Sequence, residues 1–279
     1  GLNAPRALRG GRGALFIVPE KSVPYRWKSR AVCGILKTER GGLPAAGKHD
    51  RERCLVMDMQ EAMRARHSVR AYEDRPLDGE ARAALEREIA ACNEAGDLRI
   101  CLLEEQPELF RGLAGYGKFT GVRNCIALVG KVAEDLNERA GYYGERLVLE
   151  AQRLGLNTCW VALTFSKRRT RRAVKLGRGE KLVCVIAVGY GKTQGVPHKS
   201  KTAEKVSRAH EAPAWFTAGV EAALLAPTAI NQQKFFFTLV GERGVRAECT
   251  GGFYGTIDLG IAKYHFEQAA GRENFDWVP

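Results

Sequence analysis

Apolar positions recur along the chain with two spacings, one typical of helices and one typical of buried strands. In residues 78–93 the apolar positions fall on one helical face, and Asp78 stands before them as a potential N-cap. The residues on that face are Ala81, Leu85, Ile89 and Cys92. The run 124–130 is apolar without interruption, which is typical of a strand that is buried on both faces.

The same patterns divide the chain from residue 57 onward into alternating elements. Helices are predicted over 57–66, 78–93, 134–154, 212–226 and 255–270. Strands are predicted over 97–103, 124–130, 157–165, 181–191, 234–240 and 245–251. Gly155 and Pro227 end two of the helices. Helices before, between and after strands indicate an α+β fold, with one mixed sheet and helices packed on it.

Residues 1–56 show no such periodicity and are rich in Gly, Arg and Pro. We predict that they form a basic, disordered N-terminal extension and that the folded domain covers 57–279. A presequence, or upstream sequence read as coding, is the alternative interpretation of the same residues.

The net charge of +12 suggests a nucleic-acid partner, but its distribution argues against one. Residues 1–56 contain four lysines, eight arginines and four acidic residues, which leaves only +4 for the remaining 223 residues. The basic charge therefore belongs mostly to the extension, and we expect no nucleic-acid partner. No apolar run approaches the roughly 18 residues of a membrane span, so we expect no membrane partner either.

The eight cysteines are scattered without CxxC or Cys/His ligand spacing. Four of them lie in apolar, strand-like runs, namely Cys101, Cys125, Cys159 and Cys184. This pattern predicts buried thiols in a reducing compartment and hence a cytoplasmic protein, and it argues against disulfides or a zinc site.

Several common chemistries are excluded by their missing motifs. The segment "GYGKT" (189–193) follows a strong strand, but Ile186 stands where a P-loop needs its first glycine. No GxGxxG follows a strand. The histidines are isolated and lie outside HExxH or GxSxG settings, which disfavours metal hydrolysis and nucleophilic catalysis. His265 lies on an apolar helix face, which predicts a packing residue with satisfied hydrogen bonds.

Three polar segments are candidates for binding, and each also has an ordinary structural interpretation. "RHSVRAY" (66–72) is either a basic helix end or a site that holds an anion with arginine and serine. "LLAPTAINQQKFFF" (224–237) is either a helix-to-strand loop or an amide-rich surface for a planar ligand. "HKSKTAEKV" (198–206) is either a solvated charge run or part of the anion site.

Together with "LEAQRLGLNTCWVALTF", these segments resemble the FMN-dependent nitroreductase family from about Met57 to Gly271. The family's opening motif is Arg, any residue, Ser, any residue, then Arg or Lys and an aromatic, and residues 66–72 match it with Ala71 between Arg70 and Tyr72. Its second motif is Ala-Pro-Ser/Thr, two variable residues, Asn, a variable residue and Gln, which matches 226–233.

The order of the two motifs narrows the resemblance to fused members, in which one chain folds like the usual two-subunit dimer. Ordinary members place the motifs close together and build each flavin site from two subunits. Here the motifs lie more than 150 residues apart. The resemblance therefore implies a pseudo-dimer with halves 57–205 and 206–279 and one flavin site per chain. A monomer or a weak homodimer is expected.

The family's phosphate-binding positions carry over residue by residue. Arg66 and Ser68 are expected to hold the FMN phosphate, with His67 contributing mainly its backbone. Lys199 and Lys201 match the family's late basic pair and are expected to complete this part of the site.

Other positions are implied to surround the flavin ring. Arg70 is expected to reach the ribityl chain and the N1/C2 edge, where it would tune the flavin. The residues expected to line the ring are Pro227, Thr228, Asn231 and Gln233. The stretch Val161, Ala162 and Leu163 is expected beside the ring and N5, where fused relatives usually have glycines. The two larger side chains at 162 and 163 are therefore a departure that bears on the acceptor.

The resemblance implies FMN as cofactor, NADH or NADPH as electron donor and a small-molecule acceptor such as a nitroaromatic or a quinone, reduced by ping-pong two-electron transfer. No catalytic side chain is expected, because the flavin carries the chemistry. Two alternatives remain open. One is a flavin-binding protein without turnover, a sensor or carrier, and the other is a nucleic-acid-binding protein that uses the basic extension.

Overall fold

A computed structural model describes residues 57–110 and 119–279 of the chain. The helices are α1 (Met59–Ala65), α2 (Gly79–Gly96), α3 (Leu136–Arg153), α4 (Lys167–Ala173), α5 (Ala214–Ala223) and α6 (Gly255–Ala270). The strands are β1 (Cys101–Leu103), β2 (Asn124–Lys131), β3 (Asn157–Val161), β4 (Glu180–Gly189), β5 (Ser207–Arg208), β6 (Phe235–Val240), β7 (Gly244–Cys249) and β8 (Asp276–Val278). The predictions for 1–56 lie outside the described residues.

The strands form two sheets, so the expectation of one mixed sheet is wrong. The first sheet is antiparallel throughout, in the order β1-β2-β4-β3. The second has the order β5-β6-β7-β8, with an antiparallel β6–β7 hairpin between two parallel pairs. Apolar runs identify strands, but their spacing does not say which strands pair, and this is why the sequence reading merged the two sheets. The α+β class itself is confirmed.

Capping side chains and a left-handed residue set the ends of the first two helices. At the start of α1, the Asp58 carboxylate accepts the Glu61 N–H at 2.7 Å. The Glu61 carboxylate in turn accepts the Asp58 N–H, and the two hydrogen bonds form a capping box. Asp78 caps α2 in the predicted way. The left-handed Asp97 (φ 46°) then ends α2, which explains why β1 begins only at Cys101 and not at residue 97.

The core confirms the predicted helical and strand faces. All four apolar positions of the 78–93 stretch are buried, and β2 and β4 are buried along most of their lengths. Two strands, β5 and β8, are too short for a periodic signal. Helix α4, "KRRTRRA", was missed because its single buried residue, Thr170, gives no apolar stripe, although the Ser166 side chain caps its start.

Helices α3 and α6 cross at close range because glycines stand at the contact. A Cβ added at Gly141 of α3 would overlap the backbone carbonyl of Ile257 on α6. A Cβ added at Gly260 of α6 would likewise overlap the carbonyl of Glu138 on α3. Backbone atoms cannot move aside as flexible side chains do, so this crossing requires small residues on both helices. It brings the buried polar residues Glu145 and His265 together.

We predict that Gly141→Ala destabilises the protein by about 2 kcal/mol or more, because overpacking forces the α3 and α6 backbones apart. The measurement is the free energy of unfolding in urea. The control is Gly79→Ala at the first position of α2, where a Cβ meets nothing within 4 Å. This control should change the free energy of unfolding by less than about 1 kcal/mol. Equal stabilities for the two variants would contradict the proposed close crossing.

Candidate functional site

The opening motif leaves the end of α1 and runs in extended form beside β3. Ser68 forms a parallel bridge with Thr158, and the Val69 N–H donates to the Thr158 carbonyl at 3.0 Å. Tyr72 is buried, and its hydroxyl donates to the Val69 carbonyl at 2.8 Å. The backbone of Ser68 and Val69 is therefore held in place by the neighbouring strand.

Arg66 is buried with unused hydrogen-bonding capacity. Its side chain is 3% exposed, and its Nε has no hydrogen-bond partner. The nearest carboxylate oxygen, Glu145 Oε1, lies 3.9 Å from Nε, beyond hydrogen-bond distance. Burial lowers the pKa of Arg66, and the Glu145 charge opposes that shift. A guanidinium removed from water with unpaired donors is costly unless an anion completes it.

Glu145 of α3 is already occupied by other partners. Its Oε2 accepts from Trp160 Nε1 at 2.9 Å, and its Oε1 lies 2.9 Å from His265 Nε2. The other ring nitrogen of His265 lies 3.1 Å from the Ala222 carbonyl oxygen. Glu145 and His265 are fully buried. This buried network, Arg66–Glu145–His265–Trp160, joins the end of α1 to α3, β3 and α6.

Sequence reasoning placed His265 correctly as a packing residue with both ring nitrogens engaged, but it missed Glu145 and Trp160. A signal for Glu145 was present in the sequence. The residues one turn away on either side, Gly141 and Val148, are buried members of the α3 face that packs into the core. An acidic residue on an otherwise apolar helix face needs a buried partner, and this marks it as a candidate.

Hydrogen bonds join the segment 198–201 to the loop that follows α5. The Leu224 carbonyl lies 3.0 Å from both His198 Nε2 and Ser200 Oγ. Gln233 Oε1 accepts the Lys201 backbone N–H at 2.7 Å, and Lys201 Nζ donates to the Gln233 carbonyl, also at 2.7 Å. The Asn231 amide donates to the Lys199 carbonyl at 2.8 Å. The second and third candidate segments therefore form one unit.

His67 links this unit to the opening motif. A Cβ added at Gly195 would lie 2.8 Å from the Cβ of His67, so the loop before His198 passes directly over His67. Burial lowers the pKa of His67 first, and the charges of Arg66 and His198 lower it further. Burial also lowers the pKa of His198. The hydrogen bond to the Leu224 carbonyl raises that pKa, and the charge of Arg66 lowers it further. His67 and His198 thus lie near Arg66, and the late segment is bonded to the segment that carries His198.

The late motif adopts a strained turn after α5. Ile230, Asn231 and Gln233 have φ of 47°, 55° and 45°, in the left-handed region that a β-branched residue rarely occupies. Two bonds to the buried Asp258 of α6 hold the turn. The Asp258 carboxylate accepts the Ala229 N–H at 3.0 Å and the Gln232 side-chain amide at 2.6 Å. The Ile230 side chain is 78% exposed in this turn.

The predicted site residues differ in what they offer to a ligand. Arg70, Lys199 and Asn231 are exposed, and Pro227 and Thr228 are partly exposed. Gln233 is 1% exposed and bonded to Lys201 and Leu224, so the structure shows it holding the two loops together. Its place beside a flavin ring stays a prediction.

The stretch at the end of β3 differs from the strand predicted there, and its place beside a flavin ring stays a prediction. Val161 is buried as the last residue of β3, Ala162 is partly exposed, and Leu163 is 68% exposed in the bend that follows. The strand predicted over 157–165 therefore ends four residues early. The two positions after Val161 stand at an accessible bend, where a ligand could meet them.

The site suits a phosphate-bearing ligand. The orphaned Nε of the buried Arg66 is a donor that a phosphate oxygen would satisfy, with Ser68, His67 and His198 nearby. The residues present therefore fit FMN. In the described part of the chain, no group of three or more His, Cys, Asp or Glu side chains forms a metal-binding cluster. Of the helices in the described ranges, none is long and apolar enough to cross a membrane.

Comparison with known proteins gave one family match. A family model described as "Putative TM nitroreductase" matches residues 58–270, which is more than half of the chain. No curated protein matches the chain.

A solved structure from Thermotoga maritima shows the same fold, and two further structures are similar over part of this chain. A "putative nitroreductase" from Thermotoga maritima is similar with a TM-score of 0.57 and 21% identity, over 82% of this chain and 90% of that chain. An FMN-dependent nitroreductase from Clostridium difficile gives a TM-score of 0.41 and 17% identity, over 47% of this chain and 87% of that chain. A nitroreductase family protein from Streptococcus pneumoniae gives 0.45 and 15%, over 55% of this chain and 100% of that chain.

The buried Asp258 predicts a pH dependence of stability. Burial raises the pKa of Asp258 to about 6, against the opposing bonds from Gln232 and Ala229. An acid with a raised folded pKa stabilises the fold below its unfolded pKa of about 3.9, and this contribution disappears as the pH rises through about 6. Asp258→Asn lacks this titration. Its stability relative to the parent should therefore increase by about 2–3 kcal/mol between pH 4 and pH 7.

Urea unfolding of both proteins at several pH values measures this difference. Asp276→Asn, which changes an exposed carboxylate on β8, is the matched control and should show no comparable trend. A difference between Asp258→Asn and the parent that stays constant with pH would contradict the prediction.

Proposed function

Because the chain belongs to the nitroreductase family, whose model spans residues 58–270, we propose that it is an FMN-dependent oxidoreductase. The observation that supports this best is Arg66, a buried guanidinium whose Nε lacks an acceptor, at the first position of the opening motif. FMN ends in a phosphate monoester, which supplies the missing acceptor and a compensating negative charge.

The proposed site uses both motifs. Arg66 and Ser68 would hold the phosphate, with His67, Lys199 and Lys201 around it. His198, which sequence reasoning did not select, joins this group because it is close enough for its charge to shift the pKa of His67. A cluster of cations and hydroxyls is well suited to a near-dianion.

The remaining predicted residues would orient the ring. Arg70 is exposed and would place its charge near the N1/C2 edge, where a cation favours the reduced flavin. Pro227, Thr228 and Asn231 would lie on the side formed by the late motif. The bend at Ala162 and Leu163 would pass beside the ring.

FMN, when bound, would supply the two-electron redox chemistry, and no nucleophile or general acid is required of the chain. We propose NADH or NADPH as the donor and a nitroaromatic, quinone or similar electron-poor molecule as the acceptor, in a ping-pong scheme. Exposed apolar side chains on two of the site's segments, Leu163 and Ile230, support an apolar, planar acceptor.

We further propose that the chain combines in one polypeptide the two halves of the family's dimer, 57–205 and 206–279. The division of strands supports this arrangement, since β1 to β4 form one sheet and β5 to β8 form another. The late motif, which a partner subunit would otherwise supply, comes from the second half.

A flavin-binding protein without turnover is the second candidate. The observation that favours it is the exposed Leu163 at the bend where family members usually have small residues, because this side chain could obstruct the approach to the ring.

Absorption spectroscopy tests both candidates. The full chain is incubated with FMN, desalted and scanned over the flavin bands, and then NADH or NADPH is added without oxygen. Retained flavin absorbance that bleaches with either donor supports the oxidoreductase. Retained absorbance that does not bleach supports the flavin-binding protein without turnover, and a colourless protein contradicts both candidates.

The role of Arg66 can be tested separately. We predict that Arg66→Gln weakens FMN binding at least tenfold, about the effect of losing one charge-assisted hydrogen bond. Riboflavin, which lacks the phosphate, should bind parent and variant with similar affinity. Arg82→Gln, which removes an exposed arginine from α2, is the control and should bind FMN like the parent. Unchanged FMN affinity in Arg66→Gln would show that Arg66 does not hold the phosphate.

A further inference from the structure

The hydrogen bonds of His265 determine how many protons its pair with Glu145 contains. A carbonyl oxygen only accepts, so the Nδ1 that faces the Ala222 carbonyl at 3.1 Å must carry a proton. Nε2 lies 2.9 Å from Glu145 Oε1, and two lone pairs would repel at that distance. One further proton must therefore lie between the ring and the carboxylate.

That shared proton fixes the charge of the pair. It makes either an imidazolium beside a carboxylate or an imidazole beside a carboxylic acid, and the sum of charges is zero in both cases. The Trp160 indole N–H occupies the other carboxylate oxygen and adds no charge. The buried network Arg66–Glu145–His265–Trp160 therefore has a net charge of +1, which is the charge of Arg66.

The surroundings of Arg66 supply no second carboxylate among the described residues. Burial raises the pKa of the neighbouring Cys159 thiol, which keeps it neutral. Burial lowers the pKa of both His67 and His198, which favours their neutral forms before an anion arrives. Arg66 thus retains an uncompensated charge and a free donor in a buried place.

We propose that His265 keeps the charge of Arg66 available for the cofactor phosphate by sharing a proton with Glu145. His265 is then a positioning residue that acts through Glu145 and touches neither cofactor nor substrate. Without it, Glu145 would be a full carboxylate 3.9 Å from a guanidinium, and the two would pair with each other. The inference rests on the proposed FMN site.

The ratio of FMN to riboflavin affinity isolates the phosphate contribution and is the quantity to measure. In His265→Gln the carboxylate is no longer neutralised, and we expect this ratio to fall at least tenfold. Riboflavin affinity should stay within about twofold, which shows that the ring site is still folded.

The double variant gives the sharper result. In Glu145→Gln the amide can donate to His265 and accept from Trp160, so the net charge of +1 is kept and the ratio should stay within about twofold of the parent. Glu145→Gln combined with His265→Gln removes the unneutralised carboxylate and should restore most of the ratio that His265→Gln loses. A residue that mattered only for packing would give a double variant worse than either single one.

The matched control is Glu150→Gln, which removes a carboxylate from the same helix where it pairs with Arg153 nearer the surface. It should leave the ratio unchanged. A second readout uses inorganic phosphate alone, which should raise the melting temperature of cofactor-free parent and double variant more than that of His265→Gln.

The possible failures are distinguishable. If the parent retains no flavin, the proposed function and this inference are both overturned. If it binds FMN no better than riboflavin, the phosphate site is absent and this inference is overturned. If the parent discriminates but His265→Gln keeps the full ratio, the inference alone is wrong. It is also wrong if the double variant stays as weak as His265→Gln.

Discussion

The close crossing of α3 and α6 is the constraint on which the site depends. Because Gly141 and Gly260 let the two backbones touch, Glu145 and His265 meet within hydrogen-bond distance in a fully buried place. Larger residues at the crossing would separate the helices and leave two buried polar side chains without partners, which costs more than the lost packing alone. Helix packing and the electrostatics of Arg66 are therefore set by the same contact.

The sequence predicted most elements because their signals are local. Asp58 and Asp78 mark helix starts through their own side chains, and apolar spacing marks the buried faces. The sequence could not assign the two sheets, since strand pairing is decided by contacts between distant residues. It also missed α4, whose run of arginines has no apolar stripe to show which side faces the core.

The motifs predicted the candidate site, but they did not predict the buried residues that contact Arg66 and its partners. The three segments were recognised by residue type, and the structure joins them, the first to the third beside Gly195 and the third to the second through hydrogen bonds. The roles of Glu145 and Trp160 could not be predicted in the same way. Their partners lie on other elements, and a glutamate on a helix is most often a solvated residue. For Gln233 the motif suggested a contact with the ligand. The structure instead shows this side chain buried and hydrogen-bonded to Lys201.

The turn at Ile230 shows how far this site depends on its setting. Its left-handed residues are held by Asp258 on a helix almost 30 positions later and by the loop that carries Lys201. An isolated peptide of the same sequence would favour the right-handed or extended region, where these residues carry no strain. The late motif is therefore not a portable module. The same residues in another scaffold would not adopt this backbone conformation unless α6 and the loop that carries Lys201 were transferred with them.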